Sequence, residues 1–190
     1  MSADMKAIAK AAQDGELSRL RELIRSPVDI NQAWCMTPGD EESLLQEIVS
    51  YLSCERSPHR VETVRFFLDR GADPDFLAAK GGGALLPPML NGDLDMLCLL
   101  LEAGADPNLP AGWNDKGTFY DWAKLDYQIE GFHGGGWHCP EEPEDRAMSE
   151  DAWIEWHDSM AIKYQRPRPD TLHLLREFGA KSRSEMSGGC

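Results

Sequence analysis

Val64-Arg-Phe-Phe-Leu-Asp-Arg-Gly-Ala-Asp-Pro-Asp75 and Leu97-Cys-Leu-Leu-Leu-Glu-Ala-Gly-Ala-Asp-Pro-Asn108 are two copies of one pattern. Gly71 aligns with Gly104, an offset of 104 − 71 = 33. The same frame aligns Val61 with Leu94, Val64 with Leu97, Phe67 with Leu100 and Leu68 with Leu101. Spacings of three, three and one form the apolar stripe of a helix. Gly71 and Gly104 then fall just past a helix end, where a left-handed residue is needed and a Cβ would clash. The Asp-Pro step that follows keeps the helix from resuming.

Two weaker copies flank these. Gly15-Glu-Leu-Ser-Arg-Leu-Arg-Glu-Leu-Ile24 fits the frame and ends in Asp29-Ile-Asn31. Near the end of the chain, Leu172-His-Leu-Leu-Arg-Glu-Phe-Gly-Ala180 repeats it, with Arg176 at an apolar position and Lys181 in place of the Asp. Polar intrusions of this kind suit a last repeat whose outer face meets water.

A 33-residue period of this composition resembles the ankyrin repeat. The best-matched unit runs from about Phe76 to Asn108, with helices expected over Ala84–Leu90 and Leu94–Ala103 around an Asn91-Gly92 turn. Gly117-Thr-Phe-Tyr-Asp-Trp-Ala123 resembles the family's Thr-Pro-Leu-His-x-Ala opening, with Thr118 as N-cap. The resemblance implies an all-α solenoid of about four helix-turn-helix units with β-hairpin-like loops. The units would cover about 4–31, 32–75, 76–108 and 109–183 of a single 1–190 domain, with a disordered tail at 184–190.

Three departures follow. Unit two spans 75 − 31 = 44 residues, which lengthens the Ala33–Asp40 loop and the Ser53–His59 connection. Pro87-Pro88 falls inside the first helix of unit three and predicts distortion or a very short helix. Asp106 to Lys181 is 75 residues, so the last unit carries a large insertion at about 124–169. Within it, Asp151–Tyr164 reads as a helix capped by Ser149. Between Glu130 and Gln165 nine acids face two bases, half of the chain's net charge of −14.

That charge repels phosphate backbones and anionic lipid heads. It favours a protein partner with a basic surface. Nucleic acid and membrane are therefore not expected as partners. Five cysteines without a Cys-x-x-Cys pair give no disulfide framework or zinc ribbon. No signal peptide or membrane span is legible, so a cytoplasmic location is expected; the oligomeric state is open, with a monomer favoured.

In ankyrin proteins, hairpin tips and first helices grip a protein. The resemblance therefore nominates Trp34, Met36, Phe76, Trp113, Asn114 and Asp115 at loop tips. The insertion adds Trp137, Glu141, Glu142, Glu144 and Asp145 as an acidic, aromatic interface. A competing reading folds these aromatics back onto their own hairpins. His133, His138 and Cys139 offer zinc-ligand chemistry, but at no standard spacing. Gly81-Gly-Gly83 and Gly134-Gly-Gly136 lack the strand–loop–helix context of a phosphate loop, and Cys98 lies on the apolar stripe as core. No catalytic residues or cofactor are expected. Small acidic proteins of this type resemble bacterial stand-alone ankyrin proteins, some of them immunity partners of secreted toxins. The expected function is a non-enzymatic module that neutralises a basic toxin. A general adaptor is the alternative, and a metal-binding or enzymatic insertion the third reading.

Overall fold

The computed structural model describes residues 3–25, 30–31, 33–35, 41–76, 82–111, 117–129 and 136–188. The fold is mostly helical. Helices α1 (Ala3–Gln13) and α2 (Leu17–Leu23) precede a short antiparallel hairpin of β1 (Ala33–Cys35) and β2 (Glu41–Ser43). Then come α3 (Leu44–Cys54), α4 (Arg60–Leu68), α5 (Leu86–Leu90), α6 (Leu94–Glu102) and α7 (Phe119–Gln128). The chain closes with α8 (Glu150–Tyr164), α9 (Asp170–Glu177) and α10 (Arg183–Ser187). Helix α1 packs on α2 and α3, α3 on α4 and α5, and α5 on α6 and α7. The outer helices continue the series, with α6 against α4 and α9, and α9 against α7.

Local chemistry explains the helix starts. The Ser43 hydroxyl accepts the Gln46 N–H at 2.9 Å and caps α3. At α7, the Thr118 hydroxyl accepts the Asp121 N–H while Asp121 accepts the Thr118 N–H, a reciprocal capping box. The expected start of the helix at Ala84 moves to Leu86. Pro87 and Pro88 fall in the first turn of α5, where no intrahelical donor is missed, so they begin the helix instead of distorting it. Ser184–Ser187, expected as a disordered tail, lie in α10, which Ser182 and Glu185 cap reciprocally.

The glycine corners form as expected. Gly71, Gly104 and Gly179 have φ of +85°, +95° and +80°. At each, the following alanine N–H reaches back to a helix carbonyl: Ala72 to Phe67, Ala105 to Leu100, Ala180 to Leu175. Val64, Phe67, Leu97 and Leu100 are almost fully buried, as the stripe requires. Each buried side chain of this size stabilises the fold by about 1.5–3 kcal/mol.

A side-chain ladder joins consecutive corners. Asn31 donates its amide to the Gly71 carbonyl and accepts the Asp73 N–H, both at 2.9 Å. Asn108 does the same for Gly179 and Lys181, at 3.1 and 2.9 Å. Between them, Asp75 stands where the others have Asn. Its carboxylate accepts the Asp106 N–H, 3.1 Å from each oxygen, but has no N–H to give. Burial raises the Asp75 carboxyl above its ordinary value against the lowering effect of the Asp106 N–H, and the nearby Asp73 and Asp106 add to the rise.

Asp75→Asn should therefore raise stability by about 1 kcal/mol at neutral pH, read as a higher thermal midpoint. The sign with pH follows. A carboxyl titrating higher in the folded state favours folding below its unfolded value of 3.8, and that contribution is lost as pH rises through the folded value. The variant's advantage should thus shrink towards acid. An equal advantage at all pH values would contradict this account of the joint.

Candidate functional site

The largest departure from the repeating pattern is the segment 136–169 with α8, packed beside α7. Helix α7 runs on to Gln128, and Ile129 ends it. Gly136 then crosses its last carbonyls. The Trp137 N–H donates to the Tyr127 carbonyl at 3.1 Å, and the Trp137 indole N–H donates to the Tyr127 hydroxyl at 3.1 Å. That hydroxyl donates in turn to the Pro167 carbonyl at 3.0 Å. Trp137 is 5% exposed. Three preceding glycines suggest a Trp137 free to reach an interface. The structure corrects this: the indole is core, held by a tyrosine ten residues earlier.

Helix α8 docks through aromatic rings. Trp153 meets Tyr127 edge-on with centroids 6.4 Å apart, and His157 stacks on Trp153 at 3.5 Å. His157 is buried and bonds the Trp153 carbonyl through Nδ1 at 2.9 Å. Burial, with Lys124 nearby, lowers its pKa despite that bond. Lys124 reaches Glu150 at 2.6 Å and lies 4.5 Å above the Trp153 ring. Glu150 also accepts the Tyr120 hydroxyl at 3.0 Å, and burial first, then Glu150, pushes the Tyr120 phenol far above its usual range.

Arg176, expected to face water on an outer surface, is instead a clamp. It donates to Asp151 at 2.7 Å and Glu185 at 2.9 Å, and lies 5.4 Å from the Tyr120 ring centroid. One guanidinium thus joins α8, α10 and α7.

The nominated acids behave in two ways. Glu141 bonds Lys163 and Tyr164 at the far end of α8, and the Lys163 bond foremost lowers its carboxyl. Glu142 pairs with Arg146, and Asp158 with Arg168 at 2.5 Å. Glu144 and Asp145 are exposed. The acids that looked like one interface therefore divide. Glu141 and Glu142 pair with bases of the same segment, while Glu144 and Asp145 face solvent.

Among the loop-tip nominees, Phe76 is half-buried in a turn. Trp34 pairs with Glu42 in the hairpin, and its side chain lies outside the described residues. Met36, Trp113, Asn114, Asp115 and His133 also lie outside them. His138 is exposed and Cys139 half-buried against the core. Among the described residues, no three His, Cys, Asp or Glu side chains are grouped to hold a metal ion. Cys98 is half-buried, and burial first, then Glu102, raises its thiol away from the reactive thiolate.

A group that sequence reasoning missed is apolar and exposed. Trp122 and Leu125 on α7, and Ile129 just past its end, are 40%, 46% and 37% exposed. A signal was available. Counted from the caps Thr118 and Ser43, these positions correspond to Glu47, Ser50 and Cys54 on α3, none of which is a large apolar residue.

No family model matches the chain. Curated relatives do. It is 35% identical over 106 residues to palmitoyltransferase Hip14 of Drosophila melanogaster, covering 54% of this chain and 14% of that protein. It is 35% identical over 109 residues to palmitoyltransferase ZDHHC13 of Mus musculus, and 34% to that of Homo sapiens. In both, the match covers 55% of this chain and 15% of the relative. The chain thus spans about one seventh of the length of the relatives it matches.

These findings correct the sequence reading in three respects. The relatives carry the name palmitoyltransferase, not that of ankyrin-repeat proteins, bacterial or other. The immunity and non-enzymatic adaptor expectations fall with that resemblance. So does the expectation of no enzymatic activity, because palmitoyltransferases are enzymes. Among the described residues, no helix is long and apolar enough to cross a membrane.

Proposed function

We propose that this chain serves an enzymatic palmitoyl transfer, as a helical region that holds the protein to be acylated. The observation that carries this reading is the 35% identity over 106 residues to palmitoyltransferase Hip14. Its short share of the relatives' length supports a role as one region of such an activity.

The architecture proposed for that role is a solenoid of four helical-hairpin units, about 4–31, 32–75, 76–108 and 109–183, with the insertion carried by the last. The glycine corners and the Asn31, Asp75 and Asn108 ladder support it, since each joins one unit to the next. The proposed partner is a protein with a basic surface, consistent with the net charge of −14.

The test supplies host extract with an alkyne-tagged palmitoyl thioester and captures proteins on the immobilised chain. Retained proteins should carry hydroxylamine-labile label above the level of the unbound fraction. Label no richer in the retained fraction would overturn the reading.

A further inference from the structure

Helix α8 is held differently from the helices beside it. In the row, α3 packs on α5, α5 on α7 and α9 on α7, with their backbones close together. No described helix approaches the α8 backbone as closely; long side chains reach it instead. Tyr120, Lys124 and Tyr127, spaced four and three along α7, form one stripe towards it. Glu150 accepts from the Tyr120 hydroxyl and the Lys124 ammonium, and Trp153 meets both Lys124 and the Tyr127 ring.

His157 sits at the centre of this joint. It is buried and stacked on Trp153, with Trp156 edge-on at 4.6 Å and Tyr127 edge-on at 6.0 Å. A carbonyl only accepts, so Nδ1 carries the proton shared with Trp153 and Nε2 is the basic atom. Lys124 faces the joint from α7, 4.5 Å from the centre of the same indole. The carboxylates nearby on α8 are engaged elsewhere. Glu150 holds Lys124 and Tyr120, while Arg168 binds Asp158 at 2.5 Å and His173 of α9 approaches it at 3.9 Å. A charged His157 would thus put a second cation on the ring that Lys124 already uses, in a site largely closed to water. Burial foremost, then Lys124, opposes that charge against the pull of the Trp153 carbonyl.

We propose that the α7–α8 joint is an acid-sensitive latch: protonation of His157 sets two cations against one indole and loosens α8, while the row of repeating helices stays folded. The sign follows from linkage. A histidine that titrates lower when docked supports docking fully above its ordinary value of 6.5, and that support is lost as pH falls towards the docked value. The latch does not depend on the transfer reading.

Hydrogen exchange of the full chain, read by mass spectrometry and corrected for the intrinsic effect of pH, tests it. Between about pH 7.5 and about pH 5, protection of α8 should fall about 10-fold while α6 keeps its own. His157→Phe keeps a flat ring against Trp153 but takes no proton, so its α8 protection should not change over this range. His173→Gln should behave as the parent does. If His157→Phe fails to fold, NMR of the parent chain decides, because the His157 ring should titrate below 6.5. Undiminished protection of α8 in acid would overturn the proposal. So would an equal fall in His157→Phe, loss of the effect in His173→Gln, opening of α6 together with α8, or a His157 ring that titrates at 6.5 or above.

Discussion

Asp93→Ala should destabilise the chain by about 3–4 kcal/mol, the range for breaking one side of a buried ion pair. Asp93 is 1% exposed at the start of α6. One carboxylate oxygen accepts the Ser53 hydroxyl at 3.1 Å and Arg60 Nε at 2.8 Å. The other accepts Arg60 Nη2 at 3.1 Å and the Met96 N–H at 3.4 Å. A single side chain thus caps α6, satisfies a buried hydroxyl on α3 and neutralises a largely buried guanidinium on α4. Alanine removes all three interactions together. Arg60 would keep only Asp95, whose side chain is mostly in water. Asp93→Asn retains an acceptor for the cap and the hydroxyl but leaves the guanidinium without its buried countercharge. It should therefore cost roughly half as much. Chemical denaturation of the two variants beside the parent checks both values. A loss below about 1 kcal/mol for alanine would mean that water takes over the acceptor role.

The elements legible in the sequence were those whose cause is local. The corners at Gly71, Gly104 and Gly179 follow from a helix stripe ending at a residue without a Cβ. The caps Thr118 and Ser149 follow from short side chains three residues before a free N–H. Helix α10 was equally local. Ser182-Arg-Ser-Glu185 is a capping box set by four consecutive residues. What stayed hidden depended on partners distant in sequence. Trp137 follows glycines and looked free, yet its partner Tyr127 sits on a different element. Arg176 broke the apolar pattern and looked solvated, yet Asp151 and Glu185 are brought to it only when α8 and α10 pack. The exposed stripe on α7 escaped for a related reason. An apolar helix position reads as core until a matching helix shows that the core lies on another side. Function was less legible still. Loop-tip aromatics and acidity fit many kinds of protein binding, and no local motif leads to relatives named palmitoyltransferases, of which the match covers about one seventh.

Gly136→Ala should cost about 3 kcal/mol or more, through overpacking against backbone that has no room to yield. A Cβ at this position would stand 2.6 Å from the carbonyl oxygens of Tyr127 and Ile129 and closer still to that of Asp126. They belong to the last turn of α7 and to Ile129 just past it; the Asp126 carbonyl already accepts the Ile129 N–H, and the Tyr127 carbonyl accepts the Trp137 N–H. Flexible side chains could move aside, but three carbonyls anchored to one helix end cannot. The segment must therefore lift. Lifting breaks the Trp137 N–H bond to Tyr127 and withdraws the indole from the Tyr127 hydroxyl. Trp137 should then become accessible to acrylamide quenching. Helix α8 should loosen with it, because Glu141 on the same segment bonds Lys163 and Tyr164. The corners between α4 and α6 lie apart from this contact and should keep their amide protection. Local opening around α7 and α8 with the remaining helices intact is the expected exchange pattern. Unchanged quenching of Trp137 together with an unchanged thermal midpoint would show that the close approach at Gly136 does not hold the insertion in place.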